Sequence, residues 1–141
     1  MNQKIKKKKQ SLETFSLSIP ISPVPASRPR VTRWATYYGK RHTQYVKDSA
    51  VFFKGIRSRL PIAEESFFND PVAVELKLFV TRPKTTKRLF PVGDVDNYAK
   101  IILDELVKYK ILYDDDLILK LKVTKQFADN FEGTKVEIYK L

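Results

Sequence analysis

The stretch GDVDNYAKIILDELVKYKILYDDD, Gly93 to Asp116, crowds aspartates around a helix-like core in a chain otherwise short of acid. Asp94 and Asp96 are two residues apart in a segment that reads as extended just before a helix, so both carboxylates can point to one side. Asp114, Asp115 and Asp116 stand beyond the far end of that helix, where the next strand begins. If that strand pairs near the Asp-Val-Asp segment, a third carboxylate joins the first two. Two or three such groups, with water and a phosphate oxygen, make a hard oxygen site for Mg²⁺ or Mn²⁺. A cation held there can acidify a bound water and clamp the oxygens of a phosphodiester. Lys100, one turn after Asp96, would lie beside the site and steady negative charge. The plainer account of the same residues is capping, in which acids in the first turn favour the helix dipole by ~0.3–1 kcal/mol, with Asp96 and Lys100 as an i,i+4 ion pair.

Other constellations are weaker. Asp94, Asp96 and Glu105 match positions of a calcium-binding EF-hand loop, but Tyr98 and Ala99 stand where a ligand and the turn glycine belong, which rejects calcium sensing. Asp70, Glu75 and Lys77 imitate the acid and Glu-x-Lys arrangement of restriction-type nucleases, yet the same pattern describes a solvated strand face opposite Val74 and Leu76. His42, the single histidine, lies in a basic loop and reads as a phosphate or solvent contact. No Ser-His-Asp arrangement or phosphate-cradling glycine loop is visible.

The elements that would position these groups follow from periodicity. TFSLSIP alternates Phe15, Leu17 and Ile19 as a half-buried strand ended by Pro20. The following ISPVPASRPRVTRWATYYGKRH, with three prolines, is an ordered basic loop with room for one short strand. From Thr43 as N-cap, Val46, Ala50, Phe53, Ile56 and Leu60 mark an amphipathic helix that stops before Pro61. PVAVELKLFVTRP is a strand with Val72, Val74, Leu76, Leu78 and Val80 on one face. After the basic linker KTTKRLFPVG, a helix capped by Asp96 or Asn97 places Tyr98, Ile101, Ile102, Glu105 and Leu106 together. Leu117, Leu119, Leu121 and Val123 alternate in the next strand, and Val136 and Ile138 in the last, with Gly133 in the turn between them. The expected architecture is one small α+β domain, a mixed sheet of about four strands with two main helices. Residues 1–12 are read as a basic, disordered arm and 13–141 as the folded domain.

Composition narrows the partner. The 141 residues carry 27 Lys and Arg against 16 Asp and Glu, a net charge of +11 and a pI near 9.8, which points to a polyanion and most commonly nucleic acid. Residues 1–60 hold 14 of those cations against only Glu13 and Asp48, so the first half can grip phosphates while the second half carries the acids. The absence of cysteine excludes disulfides, thiolate zinc sites and a cysteine nucleophile. Without a long apolar run or an apolar core behind the N-terminal lysines, a cytoplasmic, non-membrane setting is expected.

The run DVDNYAKIILDEL followed by ILYDDD resembles the RusA-type Holliday junction resolvases, small metal-dependent endodeoxyribonucleases of bacteria and their phages. It shows Asp-x-Asp-Asn-x-x-Lys, then Asp104, then an aromatic and paired aspartates. The likeness extends more loosely over about residues 14–141, including SRPRVTRW. The resemblance implies that Asp94, Asp96 and Asp115 are the catalytic, metal-binding acids and that Lys100 is the essential lysine. It also implies Mg²⁺ as cofactor with Mn²⁺ as a substitute, four-way DNA junctions as substrate, and an intertwined homodimer in a bacterial or phage-infected cytoplasm. Gly93 and Leu117 depart from the family pattern, the first at a position often basic and the second where Gln is frequent, and Asp116 is an added acid. Asp114 or Asp116 therefore stays open as a sharer of the ligand role. Arg28, Arg30, Arg33, Lys40 and Arg41 are the expected DNA-backbone contacts, with Trp34, Tyr37 or Tyr38 available to stack on bases. No membrane and no small-molecule cofactor are expected. The competing class is a non-catalytic DNA-binding or architectural protein, which would not need three acids facing phosphates.

Overall fold

A computed structural model describes residues 14–59 and 66–141. The expected basic arm, and the helix stop at Leu60 and Pro61, lie outside these residues. In chain order the elements are β1 (Thr14–Ile19), β2 (Arg30–Val31), β3 (Thr36–Tyr37), α1 (Lys40–Arg59), β4 (Val72–Val80), α2 (Val95–Lys108), a 3-10 turn (Asp115–Leu117), β5 (Ile118–Phe127) and β6 (Gly133–Lys140).

Four strands form one mixed sheet in the order β1-β6-β4-β5, in which β6 runs antiparallel to both neighbours and β5 runs parallel to β4. A parallel neighbour needs a crossover, and α2 supplies it. The expected alternation holds best in β4, where Val72, Val74, Leu76, Leu78 and Val80 are all buried. They meet Leu17, Ile19, Val136 and Ile138 from the other strands, and Phe53 of α1 with Tyr98, Ala99, Ile102 and Leu106 of α2, in one core. Gly133 does more than turn the chain. At φ +147° its backbone passes so close to β1 that an added Cβ would lie 2.0 Å from the Ile19 carbonyl oxygen.

Three local expectations are corrected. The helix α1 begins at Lys40, and Thr43 lies inside it, its N–H donating to the Gly39 carbonyl at 3.0 Å. Its fully buried positions are Tyr45, Ser49 and Phe53, one residue before Val46 and Ala50 in each of the first two turns. The basic loop contains a two-stranded hairpin, β2 with β3, whose tip is closed by the Thr32 side chain and by Thr32 N–H to the Ala35 carbonyl at 2.9 Å. In β5 a bulge between the pairs Val72–Ile118 and Ala73–Lys120 leaves Leu119 without a partner, so Leu117 and Leu119 fall out of step with Leu121 and Val123. Leu119 is 68% exposed and Leu121 45%, along the free edge of the sheet.

Candidate active site

Asp94 occupies the N-cap position of α2, two residues before the expected cap, with extended dihedrals (φ −79°, ψ 141°) and no capping hydrogen bond from its side chain. Asp96 sits exposed in the first turn, and among the described residues no ion pair joins it or Asp94 to Lys100. Neither carboxylate makes a capping hydrogen bond or an ion pair, so of the structural explanation only their favourable placement in the helix dipole remains.

The turn into Asp94 is built by residues the sequence reading missed. Gly93 has φ +104°, and a Cβ there would meet the Tyr98 ring at 3.0 Å and Pro25 at 3.3 Å, so glycine is required by backbone geometry rather than being a lost basic contact. The Tyr98 hydroxyl donates to the Val92 carbonyl at 2.5 Å. Lys125, reaching from β5, donates to the Pro91 carbonyl at 2.7 Å and also to that of Gly93. Its place between Val123 and Phe127 on the helix-facing side of an alternating strand was the available signal, since a lysine there must find oxygen partners.

The basic loop closes over the same end of α2. Ala26 N–H donates to the Asn97 carbonyl at 2.9 Å, and the Arg41 charge acts on the Tyr98 phenol. Arg28, Arg30 and Lys40 line one open cavity of about 600 Å³ together with Thr32, Tyr37 and Tyr38. Arg33 lies apart at the hairpin tip, its guanidinium 5.8 Å from the centroid of Trp34, which is 86% exposed. His42 is half-buried rather than exposed. Its Nδ1 accepts from the Ser27 N–H at 3.1 Å, which puts the ring proton of the neutral form on Nε2. Burial lowers the His42 pKa, the Asp104 carboxylate opposes this and Lys100 adds to it.

The triple aspartate resolves into different roles. Asp114 caps the 3-10 turn, its Oδ1 accepting from Asp116 N–H at 3.0 Å, and this bond and the neighbouring Asp115 hold its carboxyl below the usual range. Asp115 is pushed the other way, first by its hydrogen-bonded neighbour Asp114, then by slight burial and by the charges of Asp114 and Asp104.

Asp115 does not meet Asp94 and Asp96 within one chain. The strand after the triple aspartate pairs along β4, beginning at Val72, and not beside the Asp-Val-Asp segment. Lys125, which grips Gly93, lies seven residues further along β5 than Ile118, about 23 Å of strand. Asp104, whose charge Asp115 feels, is ten residues along α2 from Asp94, about 15 Å of helix. Among the described residues no group of three or more acids or histidines is placed to hold one ion. Asp94 and Asp96 still fit a hard divalent cation as two free oxygen donors. Asp70 pairs with Lys140 at 2.9 Å, and Glu75 with Lys122 at 3.5 Å, so the alternative acid and Glu-x-Lys set serves as a paired outer face.

A protein-family model for endodeoxyribonuclease RusA matches residues 20–139. The chain belongs to the RusA family. No curated protein matches it. Membership makes a nuclease of the Holliday-junction-resolving type the general function of this fold. Among the described residues no helix is long and apolar enough to cross a membrane.

Proposed function

We propose that this RusA-family chain is a Mg²⁺-dependent endonuclease, with Mn²⁺ as substitute, that resolves four-way DNA junctions by paired phosphodiester hydrolysis in recombination and repair. The observation that carries the reading is the pair of unengaged carboxylates, Asp94 and Asp96, directly under a basic loop tied to the same helix end. Arg28, Arg30 and Lys40 hold the backbone from their shared cavity, Arg41 adds charge at the start of α1, and Arg33 with Trp34 reaches outward from the hairpin tip. Lys100, one turn beyond Asp96 on the same face, stabilises charge on the attacked phosphate. Asp94, Asp96 and Asp115 are the ligands for the ion, which when bound would activate water and neutralise the phosphate oxygens.

The separation of Asp115 from the other two acids gives the homodimer a chemical role in this reading. A two-fold axis lets each chain offer Asp94 and Asp96 to one site and Asp115 to the other, so that two complete sites exist only in the dimer. The free edge of β5 with exposed Leu119 and Leu121 supports self-association, since each leucine fully covered contributes ~1.5–3 kcal/mol. A non-catalytic DNA-binding protein is the second reading, and the lack of a three-acid cluster within the described residues of one chain is what favours it.

Cleavage of labelled four-way junction and linear duplex, in Mg²⁺ and in chelator, separates the two. The nuclease cuts the junction only with metal and binds it in chelator. Asp94→Asn, Asp96→Asn and Asp115→Asn each stop cutting and keep binding. Asp114→Asn, whose amide oxygen still accepts from Asp116 N–H, keeps both. Junction binding without any metal-dependent cutting would leave the architectural reading standing.

A further inference from the structure

A second cavity, of about 450 Å³, opens between α1, α2 and the segment around Ala26 to Tyr38, and Lys100 is part of its wall. Its size falls within the ~300–1,000 Å³ of ligand-binding sites. Val46, Ile101 and Tyr109 make it largely apolar, and the rings of Tyr38 and His42 stand against each other at 4.6 Å between centroids. It adjoins the basic cavity of Arg28, Arg30 and Lys40, with which it shares Ser27 and Tyr38.

The lining also contains an unpaid polar group. Glu105 is 5% exposed; one of its oxygens accepts from the Ser49 hydroxyl of α1, and the other, Oε1, has no hydrogen-bond partner. The Tyr45 hydroxyl is close enough for each group to affect the other's ionisation, yet it too lacks a well-formed hydrogen bond. A buried oxygen left in this state costs ~1–3 kcal/mol, which a ligand donor would recover. On the opposite side His42, anchored by Ser27, is left with Nε2–H as its free donor.

We propose that this cavity receives a nucleobase unstacked from the strand whose phosphate Lys100 addresses, and that Glu105 and His42 read its edge. The inference rests on the nuclease reading and deepens it, by assigning the choice of cleavage sequence to this pocket. Apolar walls and a ring pair accept any base face, whereas a buried carboxyl and an imidazole N–H discriminate among edge patterns of donors and acceptors. The adjoining arginines hold the sugar-phosphate chain on either side. Burial raises the Glu105 carboxyl to about 7, so near neutrality the group can either donate or accept.

The test uses the full-length protein in chelator with four-way junctions carrying 2-aminopurine at single positions around the crossover. Bound wild type should raise the fluorescence at one position beside the scissile phosphate. Val46→Phe, which fills the cavity, should keep junction affinity but lose that rise. In Mg²⁺, Val46→Phe should also lose the discrimination among crossover dinucleotides, roughly tenfold or more for a well-made polar contact. Glu105→Gln, nearly isosteric, should change the preferred dinucleotide, and it decides the matter alone if Val46→Phe fails to fold. Selective junction cutting in which Glu105→Gln leaves both fluorescence and sequence preference unchanged overturns the pocket and leaves the nuclease standing. A wild type that does not cut junctions in Mg²⁺ overturns both.

Discussion

Replacing Glu105 by Gln tests the buried contact between the two helices through its pH dependence. The carboxyl titrates near its usual 4.5 in the unfolded chain but at about 7 in the folded one, because burial penalises the anion more than Ser49, Tyr45 and Lys108 favour it. Below about pH 4.5 the group is protonated in both states and contributes no difference. Between there and about pH 7 the folded state alone retains the proton, so stability falls as pH rises, by ~1.4 kcal/mol for each pH unit. The accumulated loss is about 3 kcal/mol, after which the curve is flat with respect to this group. Glutamine keeps an oxygen to accept from Ser49 and carries no charge. Urea unfolding of wild type and Glu105→Gln at several pH values should therefore give curves that converge in mild acid and separate towards pH 8, the variant being the more stable there. Parallel curves across that range would refute the assignment of Glu105 as a buried, destabilising anion.

Three further outcomes follow from the geometry. Changing Arg28, Arg30 and Lys40 together to Ala should weaken junction binding and reduce the slope of log K against log salt by ~2.7, at ~0.9 per lost phosphate contact; filter binding across a salt series measures it, and an unchanged slope places the phosphate grip elsewhere. Gly93→Ala forces a side chain into φ +104° against Tyr98 and Pro25, so it should cost at least ~1–2 kcal/mol in urea unfolding and depress cleavage by moving Asp94. Leu121→Glu, at the uncovered β5 edge, should shift sedimentation from dimer towards monomer and abolish resolution, while the unfolding midpoint of the isolated chain changes little.

What the sequence disclosed depended on how local the determinant was. Strand β4 and the inward face of α2, including Glu105, were legible because strict period-two and period-3.6 patterns repeat over several turns or residues. The hairpin was not, because its strands are two residues long and its tip depends on one threonine side chain. The partner of Glu105, Ser49, is 56 residues away, and no spacing rule connects them. Lys125 stands on the helix-facing side of an alternating strand, but only the β4–β5 pairing places it over the Gly93 turn. The expectation that a third acid joins Asp94 and Asp96 is not met within one chain, since pairing β5 in parallel with β4 carries Asp115 to the other end of the sheet.

That separation makes subunit mixing the most direct test of the account. One chain carries Asp94→Asn and Asp96→Asn, the other Asp115→Asn, and each alone should bind four-way junctions without cutting them. Co-refolded in Mg²⁺, the two should form heterodimers in which one site receives all three native acids, and these should nick one strand of the junction. Heterodimers that form, bind junctions and remain as inactive as the parents would contradict a nuclease site assembled from Asp94, Asp96 and Asp115 across two chains.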